Sequence, residues 1–208
     1  VVEALAQIYE NSGFYALESL NLAEDSYRKA LELEPNNPDF LLKMGQIKVK
    51  QAASKKEEER KGVIEEARDL FQSAVDKKDN FSFGYYQLAL AKESLSDLDG
   101  AVDSMSRAYI LDKNNINNIF HLGRLYQARG MNDDYTIAEA LFKRASEIND
   151  KESNVYLQLG LLYEKTKETD KAVFEYEKAL DLVPENEKEV REKIQEMIKN
   201  IIETEVKT

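Results

Sequence analysis

Residues Ser153 to Asn186 read SNVYLQLGLLYEKTKETDKAVFEYEKALDLVPEN, and this stretch decides the fold because it recurs. Its small residues Gly160, Ala172 and Ala179 return as Gly123, Ala138 and Ala145, then as Ala89, Ala101 and Ala108. They return again as Gly45, Ala67 and Ala74, and as Ala6, Ala23 and Ala30. A large apolar residue precedes each first small position: Leu159, Leu122, Leu88, Met44 and Leu5. Another lies between the second and third: Tyr176, Phe142, Met105, Phe71 and Tyr27. Ala172, Tyr176 and Ala179 are spaced four and three apart, which puts them on one helical face. Alanine there lets a neighbouring backbone approach, and the aromatic fills the remaining volume. One helix pair buries too little apolar surface to stand alone, so neighbouring pairs must stack.

Spacing locates the turns. From the second small position of one repeat to the first of the next, the distance is always 22 residues. Within repeats it is 12 in the third and fifth, 15 in the fourth, 17 in the first and 22 in the second. Length therefore varies only at the turn inside each helix pair, where extra residues project into solvent. The extra residues of repeat two fall in QAASKKEEERKGVIEEA, and we expect two lengthened helices with the turn within 56–62. In repeat four, GMNDDY after Arg129 reads as a short polar loop, and Asn114 to Asn118 as a turn with helix capping. After Asn186, Val190, Ile194, Met197, Ile198, Ile201 and Ile202 form an apolar helical stripe. It reads as a cap over the last repeat, or alternatively as a homodimer seam through 187–208.

The pattern resembles the tetratricopeptide repeat, a 34-residue helix–turn–helix with leucine-glycine early, a tyrosine soon after, alanines around an aromatic and a late proline. Tyr156, Leu159, Gly160, Tyr163, Ala172, Tyr176, Ala179 and Pro184 carry the match in the last repeat. The expected architecture is all-α: a right-handed superhelical solenoid of five repeats (1–37, 38–81, 82–115, 116–152, 153–186) plus a capping helix over 187–208. The closing proline is present only as Pro35 and Pro184. Lys48 and Lys92 stand where tyrosine is expected, which suggests looser packing there.

Composition restricts function. Lys and Arg number 29 against 40 Asp and Glu, giving −11, whereas nucleic-acid binders present a basic face. Such a surface gives a mild preference for basic partners. With no cysteine, disulfides and thiolate zinc sites are excluded and the compartment, cytoplasmic or periplasmic, stays open. No apolar run reaches the roughly 20 residues that span a bilayer, so no membrane insertion of this stretch is expected. The start at Val1, inside a helical pattern, leads us to expect a fragment of a longer protein. Its Lys-, Glu- and Asn-rich acidic style suggests a bacterial source.

No catalytic, metal or cofactor site is expected. His121 is the lone histidine, and neither Asp133–Asp134 nor Glu57–Glu59 has a pocket that would shift a pKa. The resemblance instead implies a protein or peptide ligand on the first helix of each pair, lining a concave groove. Transferred to this chain, the groove comprises Glu3 and Gln7, Lys43 and Gln46, then Phe83, Tyr86 and Leu90. Asn117, Phe120, His121 and Arg124 follow, then Asn154, Leu157, Gln158 and Leu161. Relatives that clamp a peptide's terminal carboxylate use a Lys/Asn/Arg set on successive first helices, and no frame of this sequence supplies it. A regulatory segment of a larger enzyme is the second reading, since similar arrays follow the membrane part of glycan polymerases and ligases. A self-assembling structural domain is the third.

Overall fold

The computed structural model describes residues 2–11, 16–131 and 133–205. Among these there are eleven α-helices and no strand. They divide into two compact units, residues 1–112 and 113–208. The first holds α1 (Val2–Asn11), α2 (Ala16–Leu33), α3 (Pro38–Ala52), α4 (Glu57–Lys77), α5 (Ser82–Ser94) and α6 (Leu98–Leu111). The second holds α7 (Ile116–Arg129), α8 (Asp134–Ile148), α9 (Ser153–Lys165), α10 (Thr169–Leu182) and α11 (Lys188–Glu205). Consecutive helices pack as pairs, α1 with α2 through α9 with α10, and within each unit each pair packs on the next.

The small positions are why they can. All fifteen are buried, and Ala23, Ala67, Ala101, Ala138 and Ala172 have no exposed surface at all. Tyr27, Phe71, Met105, Phe142 and Tyr176 lie beside them at 0–1% exposure. Burying a side chain of that size is worth roughly 1.5–3 kcal/mol. A methyl group on Gly123 would sit 2.7 Å from the Phe142 ring, so only glycine admits the ring at this distance.

Local chemistry ends the helices. Asn37 caps α3, its side-chain oxygen accepting from Asp39 N at 3.0 Å, with Pro38 at the first helical position. Asn115 caps α7 by accepting from Asn117 N and Asn118 N, as the Asn-rich turn predicts. Seven residues after the first small position the chain turns left-handed in three repeats, at Ser96, Gly130 and Lys167 (φ 63–64°). In repeats three and five the turn closes as a Schellman motif, with Asp97 N donating to Lys92 O and Glu168 N to Tyr163 O.

Three local expectations are corrected. The repeat-two turn lies at residues 53–56, not 56–62: α4 starts at Glu57 and runs straight through Gly62, taking most of the added length. Three glutamates in its first turn suit the positive end of the helix dipole. In repeat four the polar loop is shorter than GMNDDY, because Asp134 and Tyr135 are already helical; Asn132 lies outside the described residues. Lys48 is not loosely packed. Its Nζ lies 3.1 Å from Glu24 and 2.8 Å from Glu66. Burial pulls its pKa down, but the two carboxylates more than offset this and hold it above the ordinary lysine value. In repeat five Tyr163, at the same repeat position, donates to Glu139 at 2.7 Å, and Glu139 occupies the repeat position of Glu24. Lysine thus keeps the link between neighbouring pairs that tyrosine makes. Lys92 finds Ser104 Oγ instead, at 3.1 Å.

Candidate protein-binding surface on the first helices

In the first unit, α5 opens with the run Phe81–Tyr86, which holds four aromatics and the buried Gly84. A methyl on Gly84 would lie 2.8 Å from Phe81, so that ring folds under the helix. Phe83 and Tyr86 point elsewhere and stack, with centroids 6.1 Å apart and planes 11° from parallel. Phe83 is 49% exposed, a large apolar side chain held open by its own neighbour. Leu90 continues this face, half buried. A cleft lined by Lys43, Gln46, Val49, Lys50 and Gln87 separates α3 from α5. Lys50 and Val49 were not foreseen, because they lie a turn beyond the repeat positions that the family geometry transfers.

In the second unit, α7 and α9 enclose a cleft of about 170 Å³. Asn117, Phe120, His121 and Asn154 line it, all expected, together with Ile116, Glu152 and Val155. Phe120 is fixed from two sides, edge-on to His121 at 5.6 Å and tilted against Phe142 at 6.0 Å. Arg124 Nη1 lies 3.2 Å from His121 Nδ1. A guanidinium only donates, so this contact needs the imidazole neutral with Nδ1 as acceptor. Glu152 accepts from Asn154 Nδ2 at 3.1 Å. It precedes its helix, where a reading confined to helix faces does not look. Leu157 and Leu161 continue the α9 face, half buried.

Chemically these surfaces offer aromatic faces, amides, cations and the Glu152 carboxylate. One carboxylate does depart from expectation. Asp134, read as lacking a pocket, is buried and gripped by Arg129 through two hydrogen bonds of 2.8 Å, with Met131 N as a third donor. The Arg129 guanidinium holds its carboxyl below the ordinary value, against the effect of burial. The group sits at the turn between α7 and α8, and staples it. Among the described residues no cluster of His, Asp or Glu is placed to hold a metal, and no helix is long and apolar enough to cross a membrane.

Known proteins agree with this architecture. The tetratricopeptide repeat model matches residues 3–37 and 153–186. Over 182 residues the chain is 29% identical to the anaphase-promoting complex subunit CDC16 of Saccharomyces cerevisiae; the match covers 88% of this chain and 17% of that protein. The chain thus spans about a sixth of that relative's length. Among solved structures, MamA superposes with a TM-score of 0.72 at 23% identity, covering 87% of this chain and 89% of MamA. YrrB, described as a TPR protein with an unusual peptide-binding site, gives 0.66 at 22%, covering 89% and 95%. MamA from Desulfovibrio magneticus RS-1 gives 0.68 at 15%, covering 88% and 97%. Residues 3–37 and 153–186 thus carry tetratricopeptide repeats, and the described residues form an all-α helical-repeat fold. That fold is typical of protein–protein interaction modules, which are generally non-catalytic scaffolds.

Proposed function

We propose that this chain is a non-catalytic interaction module that holds a peptide or protein segment against its first-helix faces. The cleft between α7 and α9 carries this reading. Phe120 is held rigidly at its wall, and the amides of Asn117 and Asn154, at the same position of successive repeats, flank it. Amides can pair with a ligand's backbone, and a preset aromatic gives contact area at little entropic cost. In the first unit the Phe83–Tyr86 stack on α5, with Phe83 exposed, supplies a comparable anchor.

Aromatics of this kind commonly dominate affinity, each costing on the order of 2 kcal/mol or more when cut to alanine. The double variant Tyr86→Ala/Phe120→Ala is expected to keep its helicity by circular dichroism and to lose the partner that the parent retains in a pull-down. Undiminished binding would move the site to the second helices or to the projecting start of α4.

A further inference from the structure

Glu152 stands where other repeats keep a helix cap. Eight residues before the first small position, Asn37 caps α3 and Asn115 caps α7, each side chain accepting from backbone N–H groups. Glu152 holds that place before α9 and makes no such bond. Glutamate is not among the residues that cap well. Its carboxylate instead accepts from Asn154 Nδ2 at 3.1 Å and lines the α7–α9 cleft, half-buried. Among the described residues that line this cleft, none is lysine or arginine.

We propose that the α7–α9 cleft takes a basic side chain, lysine or arginine, of the bound peptide. The inference rests on the groove reading above and adds to it the chemistry of one ligand residue. Glu152 supplies the opposite charge. Phe120 sets an aromatic ring at the wall, and such a ring attracts a cation over its face. Ile116 and Val155 offer apolar contact to the methylene stem. A carboxylate only accepts, so Asn154 turns its Nδ2 to Glu152, which leaves its Oδ1 to accept from the ligand. His121 adds no charge, since the contact with Arg124 needs its imidazole neutral. Arg124 itself is held against His121 and is not one of the lining residues. The starts of α7 and α9 oppose a cation, each with roughly half a positive charge. Asn115 already takes the first amides of α7, and Glu152 sets a whole negative charge before α9. The net charge of −11 points the same way at longer range.

Two degenerate peptide libraries test this, alike in aromatic and aliphatic content, one carrying Lys/Arg and the other Gln/citrulline at the same positions. Binding of each to the whole chain is read by fluorescence anisotropy near physiological salt. The basic library is expected to bind about tenfold more tightly, the low end for a hydrogen bond to a charged group. Glu152→Gln keeps the shape of the side chain. It should erase most of that preference while binding the neutral library as the parent does. Glu177→Gln, exposed on α10, changes the net charge equally and should leave the preference intact. Equal binding of the two libraries, a preference that survives Glu152→Gln, or an equal loss in Glu177→Gln overturns the basic assignment and leaves the groove standing. If neither library binds, the groove reading falls and the assignment falls with it.

Discussion

Gln127 shows how one residue can be understood from its counterpart in another repeat. In repeat five, Tyr176 donates its hydroxyl to Glu164 at 2.8 Å, and burial followed by that carboxylate raises the phenol's pKa. In repeat four the corresponding residues are Phe142 and Gln127. Phenylalanine has no hydroxyl, and the buried Gln127 Oε1 has no hydrogen-bond partner. Phe142→Tyr should restore the donor and stabilise by about 1 kcal/mol in urea unfolding. An unchanged or lower midpoint would mean that the hydroxyl does not reach. Asp134 gives the pH-dependent counterpart. Its folded pKa lies below the ordinary value of 3.8, so its stabilisation is complete above that pH and is lost as pH falls through the lower folded value. Asp134→Asn should cost about 3 kcal/mol at neutral pH, because it removes the anionic half of a largely buried ion pair. Below pH ~4 the gap to the parent should narrow; a gap of constant size would show that the carboxylate does not titrate with folding.

At the scale of the element, α4 departs most from the repeat. It has 21 residues where α6 and α10 have 14, and residues 57–62 at its start are all exposed. Gly62 lies inside this projection with nothing within 4 Å of where a Cβ would be. No packing reason requires glycine there, so it only adds backbone entropy to the unfolded chain. Gly62→Ala should stabilise by about 0.5–1 kcal/mol without moving any contact. A loss of stability would point to a bend at Gly62 that alanine resists. The misplaced turn has the same origin. Glycine punctuates sequence, yet five charged helix formers precede Gly62, and the helix dipole favours the three glutamates as a start.

For the whole molecule, the end of the array matters most. Ile194 and Ile201 of α11 are buried at 2% and 7%, and Arg191 donates to the carbonyls of Leu180 and Val183, closing the end of α10. Val190 and Ile202, read into the same stripe, remain 40% and 49% exposed. Deleting 187–208 should uncover the apolar face of the last repeat and cause aggregation or a lower Tm, since solenoid ends need a polar cover. If the truncated chain stays equally stable and changes from dimer to monomer by light scattering, α11 is an oligomer seam and not a cap.

The sequence by itself determined the helical repeat. Close helix packing demands small residues at fixed spacing, and that spacing can be read directly along the sequence. It also placed Asn117, Phe120, His121 and Asn154 on the faces that meet at one cleft, because the repeat positions carry geometry with them. Tertiary structure alone decided the rest. Lys48 is a surface charge to a reader of residues, and became structural only when Glu24 and Glu66 arrived beside it from other helices; Asp134 did so when the α7–α8 turn brought Arg129 against it. Glu152 joined the α7–α9 cleft for the same reason: which side chains face each other across two helices depends on their packing, not on their order.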